Sequence, residues 1–250
     1  MTRPGHGGAR GRGWALALLI GSALALPAPA SAAGGPDVAG SELLSDERNY
    51  TSWAHPELRA TIRRAPDPTS PRVARVHQRT EDGFPEVYLV LRRWTDPEGR
   101  TWLNVRVPMR PNGRSGWVQD SALGELQLVE THLVVDRARQ RATLYESGHQ
   151  IWRSRVGVGA AKTPTPAGRF WIREQIEVAN PDGAYGPWAF GTSAYSTLSD
   201  WPGGGVIGIH GTDEPQLIPG RPSHGCIRVP NAAIRRLARL MPLGTPVRIR

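Results

Sequence analysis

The only cysteine of this 250-residue chain, Cys226, lies close in sequence to two histidines. His224 precedes it by two residues, and His210 lies sixteen residues upstream. A thiol has an unperturbed pKa of about 8.5, so it is mostly protonated at neutral pH, and only the thiolate is a good nucleophile. An imidazole within hydrogen-bond distance can take that proton. The residue types and their spacing therefore point to acyl transfer with Cys226 as the nucleophile.

These residues need rigid elements to bring them together. His210 follows Val206–Ile209, an apolar run that predicts a buried strand and hence a fixed position for a base. The loop between His210 and Cys226 is long enough to fold back and place the thiol beside the ring. Gly225 lets the backbone approach a substrate closely, and the N–H groups of Gly225 and Cys226 can hold a developing oxyanion.

A metal site is the main competing hypothesis. His210, His224 and Cys226 could ligate zinc, but spacings of 14 and 2 residues match no common finger or ribbon pattern. A buried, inert thiol is the usual state of a free cysteine, and the neighbouring Gly225 and His224 disfavour it. We therefore predict no metal and no organic cofactor.

The motifs themselves resemble a known family. Ile209-His-Gly-Thr212 followed by Pro222-Ser-His-Gly-Cys-Ile-Arg228 is similar to the signature of the L,D-transpeptidase (YkuD-like) catalytic domain: a histidine, a spacer, then Ser/Thr-His-Gly-Cys. A turn-rich stretch from Val156–Gly159 through Lys162–Phe170 also fits this family. The resemblance covers about residues 128–250.

The resemblance implies a role for each residue of the catalytic pair. Cys226 would be the nucleophile, His210 the base, and Gly211 would orient the imidazole through its backbone carbonyl. The thiolate would attack the third-position diamino acid of a peptidoglycan stem tetrapeptide and expel the terminal D-Ala. An amine of a neighbouring stem would then give a 3→3 cross-link. The resemblance also implies inhibition by carbapenems.

The remaining site residues are assigned less narrowly. His224 would line the oxyanion side or position the substrate, and a purely structural role is equally open. Ser223 would support the loop, and Gly225 would belong to the oxyanion and substrate-binding region. Arg228 would either form an internal salt bridge or meet a substrate carboxylate. An aromatic cap over the site is sought in Tyr185–Tyr195.

The N-terminus predicts export. Arg3, Arg10 and Arg12 form a positive region, Trp14–Leu26 is apolar, and Ala30–Ala32 supplies the small residues of a cleavage site. Residues 1–32 are therefore interpreted as a signal peptide, which places the protein outside the cytoplasm, in the cell wall.

The charge balance bears on partners. The formal net charge is +9, and removal of the three arginines of the predicted leader leaves +6. Lys162 is the only lysine, and there is no run of five or more basic residues, which argues against nucleic acid. Peptidoglycan stem peptides are the expected substrates, and anionic wall polymers are the expected attraction for the basic surface.

The predicted architecture is mainly β. Residues 33–48 are turn-rich and predict a linker, and residues 49–125 contain short strands separated by turns. The strand Thr101–Val107 and the later Gly116–Val118 give this part a resemblance to a small bacterial SH3-like barrel. A β-rich YkuD-like sandwich over 128–250 follows it. The tryptophans of the first domain are expected in its core rather than on a ligand platform; they are Trp94, Trp102 and Trp117.

The second domain should contain one helix. Thr131–Val135 and Ala142–Tyr145 predict a hairpin, and Phe170–Ile172 and Val206–Ile209 predict further strands. Apolar residues recur at helical spacing after Asn231, which is expected to be the N-cap, and Pro246–Ile249 should close the sheet.

Two alternatives to a transpeptidase stay open. An L,D-carboxypeptidase would pass the acyl group to water, and acceptor access distinguishes it. A non-catalytic wall-binding protein would depend on the SH3-like domain, and the intact pair of Cys226 and His210 argues against it.

Overall fold

The computed structural model of the protein describes residues 38–198 and 202–250. The predicted signal peptide and the first residues of the predicted linker lie outside this range. The described residues belong to one compact unit that spans Ala32–Arg250. None of the helices in the described part has the length and apolar character needed to cross a membrane.

The first eight strands form one antiparallel sheet. They are β1 (Glu42–Leu43), β2 (Thr51–Ala54), β3 (Thr61–Arg63), β4 (Arg72–Arg75), β5 (Tyr88–Thr95), β6 (Thr101–Arg106), β7 (Ser115–Gln119) and β8 (Gln127–Val129). Their order is β4-β3-β7-β6-β5-β2-β8, and β1 pairs with β5. Short β-branched and aromatic runs between Gly- and Pro-containing turns explain these elements. The assignment of this part to the SH3-like barrels stays a prediction.

Part of residues 33–48, predicted as linker, belongs to this sheet, because Glu42–Leu43 form strand β1. β1 pairs with β5 through Glu42 and Leu43. Glu47 has little exposure, and both of its carboxylate oxygens accept hydrogen bonds from Arg106 at 2.6 Å. The polar composition suggested an exposed segment, but a polar side chain can be buried once a partner satisfies it.

The next ten strands form the second sheet, which also contains parallel pairs. They are β9 (Thr131–Asp136), β10 (Arg141–Glu146), β11 (His149–Arg155), β12 (Gly157–Gly159), β13 (Gly168–Glu177), β14 (Trp188–Tyr195), β15 (Val206–His210), β16 (Gly220–Ser223), β17 (Ile227–Arg228) and β18 (Pro246–Ile249). Their order is β11-β10-β9-β18-β13-β14-β15-β17-β12-β16. The helix α1 (Asn231–Leu240) follows β17.

The structure confirms a mainly β fold in which the described residues contain one α-helix, close to the C-terminus. The predicted hairpin is formed by β9 and β10, and the predicted closing strand is β18. The prediction for Asn231 is wrong. Pro230 is the N-cap, Asn231 is the first helical residue, and its side chain makes no capping hydrogen bond.

Each sheet has its own apolar core. The larger core joins α1 to the second sheet through side chains such as Ile234, Leu237, Phe190 and Ile207. In the first sheet Trp102 and Trp117 are buried, as expected for core residues, whereas Trp94 is only partly buried.

The two sheets are held together by buried contacts. Trp171 of β13 packs on Val87 and Leu89, and its indole N–H donates to the carbonyl of Val87 at 2.8 Å. Arg173 of the same strand forms a two-point ion pair with Glu86 at 2.7 and 2.5 Å. Burial of apolar area and of a satisfied ion pair makes this junction part of the folded core.

A second link reaches the segment that leads into β15. Arg110, between β6 and β7, donates to the carbonyls of Ser196 and Gly204 at 3.2 and 2.8 Å. Its guanidinium also lies 4.7 Å from the ring centroid of Tyr195. The N-terminal sheet thus contacts the chain just before the strand that ends in His210.

Candidate active site

Parallel pairing of β15 with β17 brings the two parts of the sequence motif together. Ile209 is paired with Ile227 and His210 with Arg228. One step back in this register, Gly208 lies beside Cys226, and its backbone N–H donates to the Cys226 sulfur at 3.4 Å. The fifteen residues between His210 and Cys226 therefore form the loop that returns the chain to the adjacent strand.

The Cys226 sulfur and the His210 ring both lie near Gly208. A Cβ placed on Gly208 would lie 3.7 Å from Cδ2 of His210 and 3.9 Å from Sγ of Cys226. A larger residue at position 208 would therefore contact both reactive side chains. Cys226 is a free cysteine that is partly exposed to solvent, whereas His210 is buried.

A backbone carbonyl fixes the tautomer of His210. Nδ1 lies 2.7 Å from the carbonyl oxygen of Gly211. Because a carbonyl can only accept, Nδ1 carries the proton and Nε2 keeps its lone pair. The ring is thus in the form required of a general base. This is the geometry expected if the Gly211 carbonyl orients the imidazole.

Burial shifts the pKa values of Cys226 and His210 in opposite directions. Burial lowers the pKa of His210 to about 4, with a smaller contribution from the charge of Arg228, while the Gly211 carbonyl opposes the shift. Burial also raises the pKa of the Cys226 thiol, against the opposing effects of the Gly208 N–H and Arg228. Both shifts favour the uncharged forms, a neutral thiol and a neutral imidazole.

The turn before Cys226 is fixed by hydroxyl groups. Ser223 Oγ donates to the Cys226 carbonyl at 2.6 Å and accepts from the Gly225 N–H at 3.2 Å. Thr165 Oγ1 accepts from the Gly159 N–H at 2.9 Å and donates to the Gly225 carbonyl at 2.8 Å. These bonds connect the turn to β12 and to the loop before β13.

The oxyanion prediction needs a correction at Gly225. Its N–H is already bonded to Ser223, so it does not point into the site as proposed from the sequence. The Cys226 N–H has no acceptor among residues 38–198 and 202–250. Gly225 instead serves the turn: its φ is +131°, and a Cβ there would lie 2.7 Å from Ile207.

Arg228 forms the internal ion pair that was one of its two predicted roles. Its Nη1 lies 2.7 Å from Glu214 Oε2. Its charge lowers the pKa of both His210 and Cys226. His224 lies exposed in the turn before the cysteine, and its role in the oxyanion region or with the substrate stays a prediction.

Tyr185 covers the histidine from the loop before β14. Its ring centroid lies 4.8 Å from that of His210, with the planes inclined by 56°. The side chain is half exposed, so it forms a partial lid. Most of the remaining stretch that was considered as a cap, Trp188–Tyr195, forms strand β14 of the sheet.

The loop that carries Tyr185 packs closely against the chain that follows His210. A Cβ on Gly211 would lie 2.8 Å from the Cα of Gly186 and 2.5 Å from Asn231 Oδ1. The Asn231 side chain accepts a hydrogen bond from the Thr212 N–H at 2.8 Å. The helix that follows the cysteine therefore supports the chain that follows the histidine.

Three contributors to the site were not predicted from the sequence: Gly208, Thr165 and Asn231. Thr165 lies within the turn-rich stretch that was recognised, so its position was signalled although its partner was not. No group of three or more His, Cys, Asp or Glu side chains in the described residues is arranged to hold a metal ion.

The second half of the chain is similar to known sequences. Residues 130–249 match the family model of the L,D-transpeptidase catalytic domain, YkuD. YkuD of Bacillus subtilis (strain 168) is 31% identical over 118 residues, which are 47% of this chain and 65% of that protein. YkuD of Bacillus licheniformis is 34% identical over 106 residues, 42% of this chain and 57% of that protein. The chain thus spans less than two thirds of the length of each of these relatives.

Solved structures of similar proteins include two from Enterococcus faecium. A crystal structure of an L,D-transpeptidase is 28% identical, with a TM-score of 0.39, and the match covers 48% of this chain and 49% of that one. An NMR structure of an L,D-transpeptidase catalytic domain is 29% identical, with a TM-score of 0.36 and coverage of 48% and 96%.

Proposed function

We propose that the protein is an exported enzyme that forms 3→3 cross-links in peptidoglycan through a thioester on Cys226, because residues 130–249 match the family model of the L,D-transpeptidase catalytic domain. The observation that carries this proposal is that Sγ of Cys226 and the ring of His210 both lie near Gly208. A nucleophile and a correctly oriented base are the minimum that covalent acyl transfer requires.

The first half-reaction transfers the donor stem to the enzyme. Nε2 of His210 takes the thiol proton as Sγ of Cys226 attacks the carbonyl of the third-position diamino acid. The Cys226 N–H donates to the resulting oxyanion, since it is a backbone donor with no other acceptor in the described chain. The intermediate then collapses, His210 returns the proton to the departing amine of D-Ala, and a thioester is left.

The second half-reaction releases the acyl group to an acceptor. An amine on a neighbouring stem attacks the thioester carbonyl, and His210 takes the proton that the amine loses. Collapse of the second intermediate expels the Cys226 thiolate, which regains its proton from His210. The same base and oxyanion donor act in both halves, so the cycle needs no redox partner or metal.

The location of the enzyme is part of the proposal. Its basis is the sequence of residues 1–32, which has the three regions of a signal peptide. A mature chain of net charge +6 would be attracted to anionic polymers of the wall, which would raise its concentration near the substrate. Detection of the chain in the wall fraction, at a mass that lacks the leader, is the expected result.

The nucleophile is tested by intact-protein mass spectrometry after incubation with a carbapenem. We expect one adduct of the mass of the drug on the unmodified protein and none on Cys226→Ser. His210→Gln should slow adduct formation strongly without changing its stoichiometry. Absence of an adduct on the folded wild-type chain would favour a non-catalytic wall-binding protein.

The reaction is tested with a purified disaccharide-tetrapeptide. A cross-linked dimer together with released D-Ala supports transpeptidation. Release of D-Ala with tripeptide alone would instead assign the enzyme as an L,D-carboxypeptidase. Both products should disappear in Cys226→Ser.

A further inference from the structure

A second cleft lies on the outer face of the catalytic sheet, where the N-terminal segment crosses it. Its volume is about 540 Å³, and the segment Asp46–Arg48 forms one side. The floor comes from β9, β10, β13 and β18. Strand β14 separates β13 from β15, which carries His210, so the cleft is distinct from the candidate active site.

The strand register places cations in adjacent positions on this floor. Arg169 of β13 is paired with Arg248 of β18, and Arg248 is paired with Val134 of β9. Arg48 and Arg250 also line the cleft, so four guanidinium groups surround one space. Arginine is the residue best suited to bind phosphate, because its planar fork can donate two parallel hydrogen bonds.

Carboxylates pair with two of these four cations. Glu47 is held by Arg106, outside the cleft, and also pairs with Arg169 at 3.3 Å, while Asp136 pairs with Arg250 at 3.5 Å. Asp46 instead accepts from the backbone N–H groups of Arg48 and Asn49 at 2.8 and 2.7 Å and from the Asn49 side chain.

Two of the cations therefore remain available. Among the described residues no carboxylate pairs with Arg48 or Arg248. Uncompensated positive charge in a concave site raises the local concentration of anions.

A flat ring pair adjoins the cations. His132 and Tyr145 are cross-strand partners, and their rings stack with centroids 4.8 Å apart and planes inclined by 9°. Nδ1 of His132 is buried and has no hydrogen-bond partner among the described residues. A polar atom left unsatisfied inside a protein is costly, and a ligand that supplies a partner removes that cost. Flat aromatic surfaces suit the apolar face of a sugar or polyol.

We infer that this cleft binds the phosphate groups of a phosphodiester-linked polyol or glycan. A phosphate would lie between Arg248 and Arg48, and the adjoining polyol or sugar would lie on His132 and Tyr145. Such a polymer would hold the protein at the wall while the active site, on other strands, stays free. The inference depends on the proposed function only for the cellular source of the ligand, since binding itself does not involve Cys226.

The test measures binding to the full chain carrying Cys226→Ser, by calorimetry at low salt. The probes are inorganic phosphate, glycerol 3-phosphate and a poly(glycerol phosphate), with poly-glutamate as a polyanion that lacks phosphate. We expect Arg248→Gln to weaken binding of the phosphate probes about tenfold, the size expected for loss of a charge-assisted hydrogen bond. The matched control Arg153→Gln removes the same charge from an exposed position on β11 and should change binding less than about twofold.

A third variant separates the two halves of the cleft. Tyr145→Leu should weaken binding of poly(glycerol phosphate) and leave inorganic phosphate unchanged. Binding of free phosphate without any gain for the polymer would restrict the site to small phosphates and overturn the polymer assignment. Equal losses of affinity in Arg248→Gln and Arg153→Gln would overturn the assignment of a phosphate site to this cleft. Binding of poly-glutamate as tight as that of the phosphate polymer would overturn it as well. Carbapenem adduct formation by the Cys226-containing chain is measured separately, so failure of the catalytic proposal is distinguishable from failure of this one.

Discussion

Arg173 and Glu86 form a fully buried ion pair between the two sheets, with side-chain exposures of 2% and 0%. Two hydrogen bonds of 2.7 and 2.5 Å join them, and Glu81 approaches the same guanidinium at 3.0 Å. Desolvation alone would disfavour both charges, and the paired geometry compensates for it. The junction of the sheets therefore depends on each partner being present.

Arg173→Met should destabilise the whole described fold. It leaves the Glu86 carboxylate buried without its cation, which costs about 3–5 kcal/mol of unfolding free energy. Urea unfolding followed by tryptophan fluorescence measures this. The control is Arg93→Gln, which breaks the exposed pair with Glu42 and should cost less than about 1 kcal/mol. Similar losses in both variants would contradict a structural role for the buried pair.

The rate of carbapenem acylation should fall only at unusually low pH. The pKa of His210 is lowered by burial from its ordinary value of 6.5 to about 4, so the base stays neutral through the mildly acidic range. The second-order acylation rate should therefore lose half of its value near pH 4 on the acid side. A midpoint near 6.5 would show that the ring is solvated in the working enzyme.

The same shift predicts a sign for stability. Between about pH 4 and 6.5 the unfolded chain binds a proton at His210 that the folded chain does not, so the contribution of this residue to stability falls as the pH is lowered through that window. His210→Gln should show a smaller loss of unfolding free energy between pH 7 and pH 5 than wild type. An unchanged slope would mean that His210 does not contribute.

Tyr185 should contribute to the lowering of the His210 pKa by burial. Tyr185→Ala exposes the imidazole to water, which reduces desolvation and raises its pKa, so the acid limb of the acylation profile should move to higher pH. Tyr185→Phe keeps the ring and should leave the profile in place. Because Tyr185 is half exposed, its removal should change unfolding free energy by less than about 1 kcal/mol, which separates the lid from a structural role.

Thr165→Val should slow acylation although Thr165 is not one of the reacting groups. The substitution keeps the shape but leaves the Gly159 N–H and the Gly225 carbonyl without their shared hydroxyl, at a cost of about 1–3 kcal/mol. A looser turn should lower the acylation rate about tenfold. Thr163→Val is the matched control, because its hydroxyl makes only a 3.4 Å contact with the Ser223 carbonyl. An unchanged rate in Thr165→Val would show that the turn is held by other contacts.

The sequence was most informative where chemistry and local pattern coincide. Residue type and spacing predict the pairing of His210 with Cys226, and the parallel pairing of β15 with β17 places both residues near Gly208. The hairpin of β9 and β10 followed from alternating side chains on either side of a turn. These features depend on short stretches of chain that carry their own signal.

What the sequence did not predict depends on partners far away in the chain. Glu47 was assigned to a linker because its neighbours are polar, and its partner Arg106 is 59 residues away. Asparagine is a favoured N-cap residue, but the Asn231 side chain accepts a hydrogen bond from the Thr212 N–H instead. The importance of Gly208 follows from the register between β15 and β17, which no local pattern encodes.

The hydrogen bonds from Arg110 to the carbonyls before β15 limit which N-terminal domains could replace the first sheet. Together with the hydrogen bond from the Trp171 indole to Val87, these bonds fix the first sheet against the second. A replacement module would have to supply both a cation for those carbonyls and an acceptor for the indole. The two sheets therefore depend on each other's side chains and are not independently exchangeable domains.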